Sequence, residues 1–233
     1  MTDPATQEAG DPSVLVPVDG TPLLGQLFLP PSPVGLALIA KLEQGGPAAE
    51  AYAAMAKILG KRGFAWLLFT VSTHNEALLN ASTGWLRSDV SLIADRISAA
   101  LHWAAAQPKL GRLSIGLLGV DTVGAAALVV ASETHPQLAA VVGCNARTDL
   151  VDRVLGRIAV PTLLIAGSRG TELLVANRAA LAELRCEKRL VIAAGHLKPT
   201  LEGRAARRVA SLSSRWFERH MARRAALQAG GMR

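Results

Sequence analysis

Six residues, Gly119-Val120-Asp121-Thr122-Val123-Gly124, join an apolar strand-like run, Leu113–Leu118, to an Ala-rich helical run, Thr122–Ser132. A sharp strand-to-helix corner of the Gly-x-Ser-x-Gly type lifts a nucleophilic oxygen clear of a sheet. In this chain Asp121 stands where the serine belongs and Val123 where the second glycine belongs. An ionised carboxylate only accepts hydrogen bonds, and its attack on an ester would form a labile anhydride. It is better suited to displacing a leaving group from an alkyl carbon. A base for such chemistry is available in Ala194-Gly195-His196-Leu197, just past the last strand-like run, Arg189–Ala193. The structural alternative is a carboxylate that holds the corner without reacting. Free N–H groups and the macrodipole at a helix start stabilise an anion, and aspartate tolerates left-handed backbone.

Other reactive side chains are isolated. His74, His102, His135 and His220 have no Cys or Glu at metal-ligand spacing, so no metal is expected. Gly45-Gly46-Pro47 lacks the lysine and hydroxyl of a phosphate loop and reads as a turn. Cys144 ends a strand without a histidine nearby in sequence, and Cys144 and Cys186 read as free thiols of a reducing interior. No cofactor is expected. Asp149 and Asp152 could serve as an acid beside His196, or simply cap a helix.

The elements that must position these residues alternate. Val14–Val18 and Leu23–Leu29 read as a hairpin around Asp19-Gly20, followed by strands at Gly35–Ala40, Phe64–Phe69, Leu113–Leu118, Ala139–Cys144, Thr162–Ala166 and Arg189–Ala193. Between them lie helical stretches at Ala48–Arg62, Asp89–Gln107, Thr122–Ser132 and Ala176–Leu184, and a last one spans about Gly203–Ala226. The fold class is therefore α/β, a mostly parallel eight-stranded sheet with helices on both faces. Residues 1–12 read as a flexible tail, 13–226 as one domain and 227–233 as a second tail.

Composition limits the partners. No apolar run has the ~18–20 residues of a membrane span, and the acidic start resembles no secretory leader, so the cytoplasm is expected. The net charge of +7 is concentrated between Arg204 and Arg233. With scattered aromatics and no stacking platform, this charge reads as a solvated helix face, not a specific nucleic-acid surface. Val209, Leu212, Trp216 and Phe217 are expected to dock that helix, with Arg207, Arg208, Arg219, Arg223 and Arg224 mainly solvated. The partner is expected to be a small molecule or another protein, and self-association is compatible with the composition.

Further segments carry a resemblance. Thr83-Gly84-Trp85-Leu86-Arg87-Ser88-Asp89, Ala159-Val160-Pro161-Thr162-Leu163-Leu164-Ile165, Leu184-Arg185-Cys186-Glu187-Lys188-Arg189-Leu190 and Trp216-Phe217-Glu218-Arg219-His220 accompany the corner. Together they resemble small, lidless bacterial α/β-hydrolases of the dienelactone-hydrolase-like group, some of them fused to phosphoribosyltransferase domains. The resemblance runs from about Val14 to His220 and implies the α/β-hydrolase fold. It also implies where a catalytic apparatus would stand. The oxyanion turn maps to Lys41-Leu42-Glu43-Gln44 in place of a His-Gly-rich turn, and the nucleophile to Asp121 in place of Ser or Cys. The triad acid maps to Gly170 in Gly167-Ser168-Arg169-Gly170, and the histidine to His196. Dehalogenases of this fold follow their nucleophilic aspartate with tryptophan, where this chain has Thr122; epoxide hydrolases use two lid tyrosines, and this chain has only Tyr52. The expectation is a catalytically inactive hydrolase relative with a binding or interaction role. Its pocket would be formed by Lys41, Leu42, Glu43 and Thr122, and Asp121 would be charge-paired to Lys41 or His196. The alternative is an active enzyme with Asp121 as nucleophile and His196 as base.

Overall fold

The computed structural model describes residues 13–18, 20–42, 45, 48–169, 171–195, 197 and 203–230. The hairpin β1 (Ser13–Val18) and β2 (Thr21–Phe28) leads into β3 (Leu36–Lys41), α1 (Ala49–Lys61) and β4 (Ala65–Thr70). Then come α2 (His74–Thr83), α3 (Val90–Ala106), β5 (Ile115–Val120) and α4 (Thr122–Ala131). The chain continues through β6 (Leu138–Cys144), a short α5 (Asp152–Leu155), β7 (Thr162–Gly167) and α6 (Thr171–Glu183). It closes with β8 (Lys188–Ala193) and α7 (Arg204–Gly230). The eight strands lie in the order β1-β2-β4-β3-β5-β6-β7-β8. The two pairings of β2 are antiparallel and all the others are parallel.

Burial explains the strand sequences. β3 to β7 are buried at every residue, so they read as continuous apolar runs rather than alternating ones. One face packs against Ile93, Ile97 and Leu101 of α3, Leu128 and Val130 of α4, and Ala180 of α6. The other packs against Met55 and Leu59 of α1 and Val209, Trp216 and Phe217 of α7. Phe217, fully buried, lies on Gly116 of β5, where a Cβ would stand 2.5 Å from the ring. The indole N–H of Trp216 donates to the Pro161 carbonyl at 3.3 Å.

Three expectations change. First, α2 was not anticipated. Thr73 accepts the Glu76 N–H and Glu76 accepts the Thr73 N–H, a complete capping box. Glu76 also forms two charge-assisted bonds with Arg96 of α3, at 2.6 and 2.8 Å, which hold its carboxyl down at about 2. Second, α7 continues to Gly230, through the part of the chain expected to be a tail. Third, the terminal arginines are not all solvated: Arg224 donates to the carbonyls of Leu138 and Pro136, and Arg219 pairs with Glu187 at 3.0 Å. The side chain of Arg223, the N-terminal segment 1–12 and residues 231–233 lie outside the described residues. Among the described residues no helix is long and apolar enough to cross a membrane.

Candidate functional site

The corner forms as a single residue. β5 ends at Val120 and α4 starts at Thr122, leaving Asp121 at φ 56°, ψ −125°. Its N–H donates to the Cys144 carbonyl at 2.9 Å, and its own carbonyl receives the N–H groups of Ala125 and Arg147. Gly119 is required: a Cβ there would stand 2.5 Å from the Val123 carbonyl oxygen. The close approach normally served by a second glycine falls one residue later, on Gly124, which faces Ala146. Val123 therefore fits as an ordinary buried core residue.

The left-handed tolerance of aspartate does not account for Asp121. That tolerance applies near ψ +30° to +60°, far from the −125° observed. A side chain in such a region costs ~1–3 kcal/mol and persists only where its surroundings over-determine it, as the three backbone hydrogen bonds of Asp121 do. Capping does not account for Asp121 either, because its carboxylate takes no helix-capping hydrogen bond.

The surroundings of Asp121 hold its pKa above the ordinary carboxylate value. Burial raises its pKa, Arg147, Arg87 and the Thr122 N–H lower it, Asp149 raises it, and the net shift is upward. Of the two expected partners, Lys41 lines a different cleft and His196 lies outside the described residues; among the described residues the cations that act on Asp121 are Arg147 and Arg87. Burial, reinforced by the negative charge of Asp121, pushes the Cys144 thiol up to about 12. Burial also raises the Tyr52 hydroxyl, with Cys144 and Asp121 pushing the same way, which brings this α1 tyrosine into the electrostatic neighbourhood of the corner.

Asp121 opens onto a cleft of 410 Å³ lined by Arg147, Asp149, Glu172, Leu173 and Ala176. Arg147 holds Asp149 in a fork, with Nε–O distances of 3.0 and 3.1 Å and Nη2–O of 2.7 Å. That guanidinium keeps the Asp149 carboxyl below its ordinary value. Asp152, the other candidate acid, sits in the first turn of α5 and accepts the N–H of Arg153.

The expected pocket residues separate. Thr122 is buried and donates its hydroxyl to the Arg87 carbonyl at 3.0 Å, so it is committed to the scaffold. The Leu42 carbonyl receives the Ser72 hydroxyl at 2.7 Å, and its half-buried side chain packs on the core. Glu43, Gly170 and His196 lie outside the described residues. The residues flanking His196 do not: the Gly195 N–H donates to Ser168 Oγ at 2.9 Å, and the Leu197 carbonyl accepts the Asn145 amide at 2.5 Å.

Asn145 was missed from the sequence. It is buried at φ 46°, its Oδ1 receives the Gly167 N–H at 3.1 Å, and its N–H donates to the Ile165 carbonyl. One amide thus joins the end of β6, the end of β7 and the loop after β8. An Asn immediately after an apolar strand was the available signal. Among the described residues no group of three His, Cys, Asp or Glu side chains is placed to hold a metal ion.

No family profile matches the chain. A crystal structure of a dienelactone hydrolase from Anabaena variabilis is similar at 33% identity and TM-score 0.83, covering 91% of this chain and 98% of that one. A dienelactone-hydrolase-like promiscuous phosphotriesterase from metagenomic libraries shares the fold at 18% identity, with TM-score 0.71 over 90% of this chain and 97% of its own. A Mycobacterium tuberculosis protein, described as a candidate phosphoribosyl transferase, is 33% identical over 216 residues, 91% of this chain and 47% of the relative. The chain thus spans about half the length of the curated relatives it matches.

Proposed function

Because the chain belongs to the dienelactone hydrolase family, we propose that it uses the family's scaffold and cleft to bind a small polar ligand, without ester hydrolysis of the serine or cysteine type. One observation carries the reading: the residue held in the corner is a carboxylate. Hydrolysis of an ester needs an oxygen or sulfur nucleophile activated by a base, with donors at the developing oxyanion. Asp121 would give an anhydride, and the nearby Cys144 is kept as a neutral thiol by burial. The cleft offers Arg147 as donor and Asp121, Asp149 and Glu172 as acceptors, above an apolar patch of Leu173 and Ala176. This lining suits a compact ligand with several polar groups.

In this reading the phosphoribosyl transfer named for the mycobacterial relative resides in the half of that protein that this chain does not match. We place the protein in the cytoplasm, where the free thiols Cys144 and Cys186 would stay reduced. The test is turnover of short p-nitrophenyl esters by the purified chain, with Asp121→Ala beside it. No turnover above buffer is expected. Robust turnover abolished by Asp121→Ala would overturn the proposal.

A second reading is favoured by the strained backbone, which the hydrogen bonds to Cys144, Ala125 and Arg147 hold in place. Asp121 would attack an alkyl carbon, forming an ester bond as halide or alkoxide leaves. Tyr52 would protonate an alkoxide, and water activated by His196 would then hydrolyse the ester. Single-turnover reactions with 1-bromobutane and styrene oxide in H2(18)O test it. Heavy oxygen in the Asp121 peptide would establish this reading, and its absence with both substrates would dismiss it.

A further inference from the structure

A second cleft opens at the same end of the sheet, over the hairpin side. It measures 190 Å³, and its lining includes Ser13, Leu24, Gln26, Lys41, Leu68 and Thr70. Strand register brings these residues onto one face. Ser13 lies opposite Gln26, Gln26 opposite Leu68, and Lys41 beside Thr70. On that face α1 covers Ile39 of β3 and Trp66 and Leu68 of β4. Among the described residues β1 and the Leu24–Gln26 part of β2 are not covered by it, and the directly opposed pair Leu15 and Leu24 is 58% and 38% exposed.

Lys41 is the unexpected member. It ends a strand whose other five residues are apolar and buried, and it is itself only 8% exposed. An ammonium held this far from water is costly unless anionic or dipolar groups surround it, and burial lowers its pKa. Lys41 already takes part in an interaction within the chain. An ammonium has three donors, and Lys41 lines the cleft.

We propose that this cleft is a binding site for a small carboxylate with an apolar body. The carboxylate is taken by Lys41 with hydrogen bonds from Thr70 and Gln26, and the body rests on Leu24 and Leu68. The volume lies below the ~300–1,000 Å³ of pockets for drug-sized ligands, which restricts the ligand to a few carbons or one ring. None of the named lining residues lines the Asp121 cleft, so the proposal stands independently of the reading given to that cleft.

Benzoate is the probe, titrated at neutral pH into the full chain and followed by amide NMR. Saturable shifts are expected at Gly25, Gln26 and Thr70, with benzyl alcohol and benzamide binding at least about tenfold more weakly, as loss of a charge-assisted bond requires. Lys41→Met should weaken benzoate by a similar factor, and Lys57→Met, on an exposed turn of α1, should not. Removing one charge from a buried interaction can destabilise a fold, so the wild-type comparison of charged with neutral probes, which needs no variant, decides the question where Lys41→Met fails to fold. The proposal is overturned by shifts centred on Asp121 and Arg147, by equal affinity for benzyl alcohol, by equal loss in Lys57→Met, or by no saturation at tens of millimolar.

Discussion

Replacing Asp121 should stabilise the fold, and two substitutions separate the reasons. Asp121→Asn keeps the shape and the strained backbone but removes the charge. Asp121→Gly removes the charge and also relieves φ 56°, ψ −125°. Strain of this kind is worth ~1–3 kcal/mol, and the extra freedom of glycine in the unfolded chain takes back ~0.5–1 kcal/mol. The backbone alone therefore predicts that Gly exceeds Asn by ~0–2.5 kcal/mol, centred near 1. The electrostatic part carries a sign through pH. Burial raises the folded-state pKa of Asp121 above 3.8, so its contribution to stability is fully present below that value and is lost as pH rises through the folded pKa. Asp121→Asn should match the wild type in acid and become the more stable protein towards neutral pH. Urea unfolding of the three proteins at several pH values between 3 and 8 measures both effects. An Asn variant that is less stable at neutral pH, with a deficit that grows as pH rises, would show a carboxylate satisfied by its partners. Gly no better than Asn would show that the corner is not strained.

Three further expectations follow from packing and pairing. Glu76→Gln should cost ~2–3 kcal/mol, because it strands the buried guanidinium of Arg96; that loss should shrink as pH falls from 4.5 towards about 2, where Glu76 itself protonates, and chemical denaturation checks it. Asn145→Ala should cost ~2–3 kcal/mol by leaving the Gly167 N–H and Leu197 carbonyl without partners, and amide hydrogen exchange at Gly167 should accelerate more than at the centre of β7. Trp216→Ala, which empties a site only 7% exposed and removes the bond to Pro161, should cost ~3–5 kcal/mol in thermal unfolding.

Most of the framework was legible because its signals are local. Runs such as Leu36–Ala40 and Leu163–Ala166 are apolar on both faces, and only a covered parallel strand uses such a run. The corner was legible from Gly119, whose missing Cβ the structure needs. α2 was legible in principle, since Thr73 and Glu76 are spaced as a capping box, but its flanks lack a clear apolar stripe. The electrostatics of the site were not legible. Lys41 and Asp121 end neighbouring parts of one sheet edge, yet the lysine lines the cleft over β2 and β4, and the charges that act on the carboxylate are those of Arg147 and Arg87. Alternation fixes the face a strand-end side chain takes, but which charged groups meet it there depends on the elements that cover that face, and spacing along the chain does not encode those.

The seat of Phe217 on Gly116 also matters while the chain is being made. The strand that carries the corner is near the middle of the sequence, but the ring that covers its glycine arrives about a hundred residues later. During synthesis at ~5–20 residues per second, β5 would wait several seconds with that face uncovered, alongside β6 and β7, which α7 also covers. A nascent chain halted before residue 217 should therefore be a client for chaperones that bind exposed apolar strands. Release from them should coincide with emergence of the last helix from the ribosome.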